Sequence, residues 1–146
     1  FICIGGGSST YSTQLKETAS TLGLDNVLIW AREQKDMPKV QNGLDIAVSS
    51  SFSEGFSNTI GEAMACGVPC VVTDVGDSAR IVGDHGVVVP SGDYQALGDG
   101  LKRLVDMDTT DMKQLKKAVR ARIDELYSID KLVSDTESLL YSLLSD

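Results

Sequence analysis

Five short apolar runs, separated by glycine-bearing turns and by segments with helical spacing, constrain this chain more than any other feature. They span residues 1–4, 27–30, 44–49, 70–73 and 87–89. Residues 8–23 carry Tyr11, Leu15, Ala19 and Leu22 at the three-and-four spacing of an amphipathic helix, with Gly23 as its stop. Shorter helices are expected over 37–42, 59–67 and 78–82. Gly92-Asp93 then opens a helix with an apolar stripe of Ala96, Leu97, Leu101, Leu104 and Val105, and two more helices fit 108–127 and 130–144. Apolar strands alternating with helices are the mark of parallel βαβ units. Right-handed crossovers then place helices on both faces of the sheet. The fold class is therefore α/β, with residues 1–4 read as a buried strand and Trp30 as a core side chain.

A chain of 146 residues fits one domain. Thirteen basic against twenty-one acidic residues give a formal charge of −8, which argues against a nucleic-acid partner or a broad anionic-membrane surface. No run reaches the roughly 18 apolar residues of a membrane span. The opening FICIGGG has neither Met nor a basic segment. It reads as a strand within a longer protein rather than as a signal peptide. Cys3, Cys66 and Cys70 are odd in number, sit among apolar neighbours and form no C-x-x-C, and His85 is the only histidine. A disulfide framework or metal site is not expected, and a reducing, cytoplasmic setting is.

The stretch 50–69, SSFSEGFSNTIGEAMACGVP, reads as strand end, turn and helix. In an open α/β sheet ligands bind outside the carboxyl ends of the strands, and a helix N-terminus there suits phosphate. Gly55 removes a Cβ from the turn, and Ser57, Asn58 and Thr59 are all good caps. Glu54 precedes the turn and Glu62 follows it by about one helical turn, with seven residues between them. Helical side chains lean toward the N-terminus, so both carboxylates can meet hydroxyls on either side of a bound phosphate. That pattern suits a nucleotide sugar. A structural reading stays open beside it, because Thr59 to Glu62 and Ser51 to Glu54 both have the form of a capping box.

The run EGFSNTIGE, with AMACGVPCVVTDVGDSARIV and GVVVPSGDYQALGDGL after it, resembles the retaining glycosyltransferases of family 4 from about residue 24 to 104. The resemblance implies one half of a GT-B fold, a Rossmann-like parallel sheet that binds the donor as the C-terminal half. It implies that Glu54 meets hydroxyls of the donor sugar as the catalytic carboxylate. Backbone groups of Gly55, Phe56, Ser57, Asn58 and Thr59 would hold the diphosphate, and Glu62 the ribose. The reaction would transfer a sugar from a nucleoside diphosphate to an acceptor hydroxyl with retained anomeric configuration and without metal or other cofactor. The helix dipole and basic residues would offset the leaving group's charge. The acceptor, a sugar or lipid-linked sugar, would bind a half not represented here, with membrane contact at most peripheral. GDSA after Asp74-Val75 is similar to relatives that build cell-surface polysaccharide.

The family's upstream G-R…K segment would precede Phe1. Gly5-Gly6-Gly7-Ser8 stands where relatives have G-x-G-P, and Arg80 where many have Glu. Arg32, directly after the second strand, falls where the family's loop lies beside the nucleobase, and a solvated surface role is equally open. His85 reads as a surface histidine in a turn, and Asp74 and Asp77 as turn and cap residues. Lys113, Lys116, Lys117 and Arg120 read as a solvated face opposite Met112, Leu115, Val119 and Ile123. Two alternatives remain: a non-hydrolysing sugar-nucleotide epimerase with the same two-half fold, and a flavodoxin-like binding or signalling module.

Overall fold

A computed structural model of the chain describes residues 1–6 and 9–144, which pack as two compact units, Phe1–Val40 and Gln41–Asp146. In the first unit β1 (Ile2–Ile4) and β2 (Ile29–Ala31) pair in parallel, Ile2 opposite Ile29 and Ile4 opposite Ala31, with α1 (Ser9–Thr21) between them in sequence. α1 ends as expected at Gly23. The N–H groups of Leu24 and Gly23 reach back to the carbonyls of Ala19 and Ser20, each at 2.9 Å, the paired bonds of a Schellman turn. α2 (Met37–Asn42) follows, its first turn capped by the Asp36 carboxylate, which accepts from Lys39 N–H at 3.2 Å.

Burial in this unit departs from the expectation. Phe1 is 76% exposed, Ile2 45% and Trp30 36%, and of the α1 stripe only Ala19 is buried. Cys3 is exposed as well. A parallel sheet is normally covered on both faces. Here two strands accompany a helix built mostly of Ser, Thr, Gln, Lys and Glu, so residues 1–40 by themselves leave this sheet partly open. Of the glycine loop at 5–8, Gly7 and Ser8 lie outside the described residues.

The second unit is built around β4 (Cys70–Thr73), buried at all four positions. β3 (Ala47–Ser49) and β5 (Val87–Val89) flank it in parallel, so the parallel strands form two sheets, β1-β2 and β3-β4-β5, one in each unit. Side chains alternate along β4. Cys70 and Val72 join the core with Ile60, Ala63 and Met64 of α3 (Asn58–Ala65), Ile81 and Val82 of α4 (Ser78–Val82), and Val119 and Ile123 of α6 (Thr109–Leu126). Val71 points the other way. There it meets α5 (Tyr94–Val105), where a Cβ on Gly100 would stand 2.9 Å from Val87 Cγ1 and 3.1 Å from Val71 Cγ1. Helices thus cover both faces of this sheet.

Local signals set the helix ends. Gly67, at φ 75°, closes α3 with the same paired bonds as Gly23: Val68 N–H to Ala63 at 2.9 Å and Gly67 N–H to Met64 at 2.8 Å. Asp93 caps α5 through Ala96 N–H at 2.9 Å, and Asp108 caps α6 through Thr110 N–H at 2.7 Å. On α6, Lys113, Lys117 and Arg120 are exposed and Val119 and Ile123 buried, as the pattern requires, while Lys116 is half-buried 3.7 Å from the Asp45 carboxylate. His85 closes a 3₁₀ turn and is half-buried rather than on the open surface. α7 (Ile129–Leu144) has no buried residue.

Candidate functional site

β3 ends at Ser49 and α3 begins at Asn58, so residues 50–57 form a loop at the carboxyl end of a strand. The N-cap of α3 is Ser57, and no side chain accepts from the first turn. The first backbone bond of the helix runs from Gly61 N–H to the Ser57 carbonyl at 3.3 Å. The N–H groups of Asn58, Thr59 and Ile60 therefore have no helical acceptor. Gly55, Phe56, Asn58 and Thr59 are exposed, and Ser57 is buried. Nothing lies within 4 Å of where a Cβ on Gly55 would stand. The turn presents open backbone to solvent.

Neither capping box forms. Thr59 and Glu62 both lie inside α3, two residues too late for the N-cap and N3 positions, and position N3 is Ile60, which cannot reach back. Glu62 is exposed, and no described residue engages its carboxylate. Ser51 and Glu54 do meet, the Ser51 hydroxyl donating to Glu54 Oε1 at 2.7 Å, but no helix starts there. The two carboxylates thus stand before and after an uncapped helix N-terminus.

Contacts distant in sequence hold the loop. The Ser51 carbonyl accepts from Thr73 Oγ1 at 2.7 Å and from Ser91 Oγ at 3.3 Å. Gly76 lies against the Glu54–Gly55 peptide: at φ 53°, a Cβ there would stand 2.3 Å from the Glu54 carbonyl oxygen. Asp77 N–H donates to the Gly55 carbonyl at 3.0 Å. Asp77 does occupy the N-cap position of α4, but its side chain caps nothing and lies 3.8 Å from Arg80. Phe56 packs against Tyr127 with ring centroids 5.7 Å apart and planes tilted by 56°. Tyr127 and Arg122 in turn donate to carbonyls at the end of α4, Tyr127 Oη to Arg80 at 3.2 Å and Arg122 Nε to Ile81 at 2.8 Å.

Ser51, Thr73, Gly76 and Ser91 therefore hold the loop of the candidate site, a role sequence reasoning missed. Only Ser51 left a trace, as half of an apparent capping box. Arg32 belongs to the first unit, where it is exposed directly after β2 and its carbonyl accepts from Gln34 Nε2 at 3.1 Å. Cys70 is buried, and that burial pushes its thiol up to about 12, which disfavours the thiolate. Among the described residues no three His, Cys, Asp or Glu side chains gather as a metal-ligand set.

Comparison with known proteins gives this geometry a family. The lipopolysaccharide core biosynthesis mannosyltransferase LpsB of Rhizobium meliloti is 31% identical over 105 residues, covering 69% of this chain and 30% of that protein. The chain spans about a third of the length of the curated relatives it matches. Among solved structures, Anabaena Alr3699/HepE in complex with UDP-glucose superposes with a TM-score of 0.84 at 23% identity, over 97% of this chain and 40% of that one. The C-terminal domain of the glycosyl transferase group 1 protein LpcC of Francisella tularensis superposes with a TM-score of 0.74 at 25% identity, over 83% of this chain and 64% of that one. The α/β fold is that of part of these GT-B glycosyltransferases. Residues 1–107, with both carboxylates and the turn between them, match the family model for glycosyl transferases group 1, and the chain belongs to that family.

Proposed function

We propose that this chain is the C-terminal, donor-binding part of a retaining glycosyltransferase, which moves a hexose from a nucleoside diphosphate to an acceptor hydroxyl in cell-surface polysaccharide or glycolipid synthesis. The observation that carries the reading is the uncapped N-terminus of α3 with Glu54 on one side and Glu62 on the other. Three N–H groups without helical acceptors and the positive end of the helix dipole offer a diphosphate what it needs. They stay in place as the sugar leaves, so charge gathering on the departing diphosphate meets donors already oriented. Glu54 accepts from hydroxyls of the sugar and orients its anomeric carbon, Glu62 accepts from the ribose, and the open face of Gly55 admits the phosphates. The bond from C1 to the diphosphate breaks, a bond from C1 to the acceptor oxygen forms, and the acceptor's hydroxyl proton passes to the departing diphosphate.

The names of relatives support the class: LpsB is a mannosyltransferase of lipopolysaccharide core synthesis, and HepE was solved with UDP-glucose. For Arg32 the support is its place after β2 and the family resemblance, and its proposed role is contact with the base. The acceptor, a sugar or lipid-linked sugar, belongs in this reading to another part of the protein. The proposed setting is cytoplasmic, with peripheral membrane contact at most; no described helix is long and apolar enough to cross a membrane.

Chemical-shift mapping with UDP, GDP and ADP, and then with their sugars, tests the site and names the base. Shifts should centre on residues 55–62 and weaken by about tenfold in affinity for Glu62→Ala, the scale of one hydrogen bond to a charged group. Unchanged affinity in Glu62→Ala would remove the ribose assignment.

A further inference from the structure

We propose that Ser51 is a positioning residue for Glu54 and that Thr73 and Ser91 fix it in that role, an inference that rests on Glu54 being the carboxylate that meets the donor sugar. The Ser51 hydroxyl donates to Glu54 Oε1 at 2.7 Å, the length of a charge-assisted bond. A serine has one proton to give. With that proton committed to Glu54, the neighbouring Ser49 hydroxyl at 3.5 Å can only donate to Ser51. A line of hydroxyls thus runs from the end of β3 to one oxygen of Glu54. No described residue engages the other oxygen, Oε2, so the carboxylate is held by one side and open on the other.

The backbone of Ser51 is pinned independently. Its carbonyl has two lone pairs, and two hydroxyls use them: Thr73, on β4, at 2.7 Å and Ser91, beyond β5, at 3.3 Å. Those anchors decide where the Ser51 hydroxyl stands, and the hydroxyl decides how the Glu54 carboxylate is turned. Gly76 and Asp77 hold a different part of the loop, the Glu54–Gly55 peptide. Ser51 therefore acts on recognition of the sugar and not on the nucleoside diphosphate, which the backbone after Gly55 receives.

That separation gives the test. Isothermal titration of the full-length protein carrying Ser51→Ala, with UDP against UDP-glucose and GDP against GDP-mannose, compares sugar nucleotide with bare nucleotide. Affinity for the nucleoside diphosphate should stay within about twofold of wild type and affinity for the sugar nucleotide should fall about tenfold, the scale of one bond to a charged group. Thr73→Val should shift the ratio the same way by less, and Ser51→Thr, which keeps the hydroxyl, should restore it. Equal loss for both ligands would mean that the loop has collapsed, and unchanged sugar-nucleotide affinity would mean that the hydroxyl is idle; either overturns the proposal. Glu54→Gln distinguishes the two layers. If it leaves the ratio untouched, the Glu54 reading fails and the positioning role falls with it. If it abolishes the ratio while Ser51→Ala does not, the positioning role alone is wrong.

Discussion

Replacing Gly76 by alanine should unsettle the loop that carries Glu54, and the size of the effect can be worked from two contributions. Gly76 sits at φ 53°, a left-handed conformation that costs an L-residue about 1–2 kcal/mol. The new Cβ would stand 2.3 Å from the Glu54 carbonyl oxygen and 2.5 Å from that of Gly55. Both are backbone atoms, so neither can swing aside as the end of a side chain would. Relief requires the segments to part, which breaks the 3.0 Å bond from Asp77 N–H to the Gly55 carbonyl, worth about 1 kcal/mol net. The strain and the lost bond sum to about 2–3 kcal/mol, or roughly 6–12 °C in Tm for a chain of this size. Calorimetry on Gly76→Ala and Gly76→Asn reads it directly. Asparagine tolerates the left-handed region but carries the same Cβ, so it should recover the conformational share and still melt several degrees below wild type. A Gly76→Ala protein that melts within a degree of wild type would refute the argument, and an Asn variant near wild type would leave conformation, not contact, as the cause.

Three further outcomes follow from titratable groups. Iodoacetamide at about pH 8 should label exposed Cys3 and spare Cys70, whose buried thiol is pushed up to about 12; rapid labelling of Cys70 in the folded protein would contradict its burial. Because that folded value lies above the ordinary 9.0, the stability it contributes is whole below about pH 9 and is lost as pH rises toward 12. The urea midpoint should fall across that window and fall less in Cys70→Val. Asp108 shifts the other way: N–H groups at the start of α6, that of Thr110 first, hold its carboxyl below the usual range. Its contribution is present above the unfolded value of about 3.8 and is lost as pH falls through the lower folded one. Asp108→Asn, still a good cap, should show a shallower loss of stability in acid.

Features decided within a few residues were legible in advance. Gly23 and Gly67 end their helices because a left-handed residue after the last turn is a local requirement, and Asp93 and Asp108 begin theirs because a short carboxylate reaches the N–H groups two or three residues on. The adjacent Ser57, Asn58 and Thr59 are equally good caps, so pattern alone could not choose among them, and the cap fell at Ser57. The apolar run at Phe1 looked buried because a run shows what a strand offers, not whether its neighbours have surface to match. Trp30 misled for the same reason. Glu54 and Glu62 stood out through their spacing and the resemblance it carries, and the structure puts one before the turn and the other on α3 after it. Thr73 and Ser91 did not stand out, since their bonds to Ser51 span 22 and 40 residues and no local rule links such positions.

The triple attachment of residues 51–55 has a consequence for how a ligand is met. Its anchors come from β4, from the turn after β4 and from just beyond β5, so the strands of the sheet set the loop's position. Ordering a backbone residue takes about 1–2 kcal/mol of conformational entropy, and for this loop that ordering happens when the chain folds. In the proposed donor-binding role, association would proceed without a loop to gather in, and each new ligand would meet the same geometry.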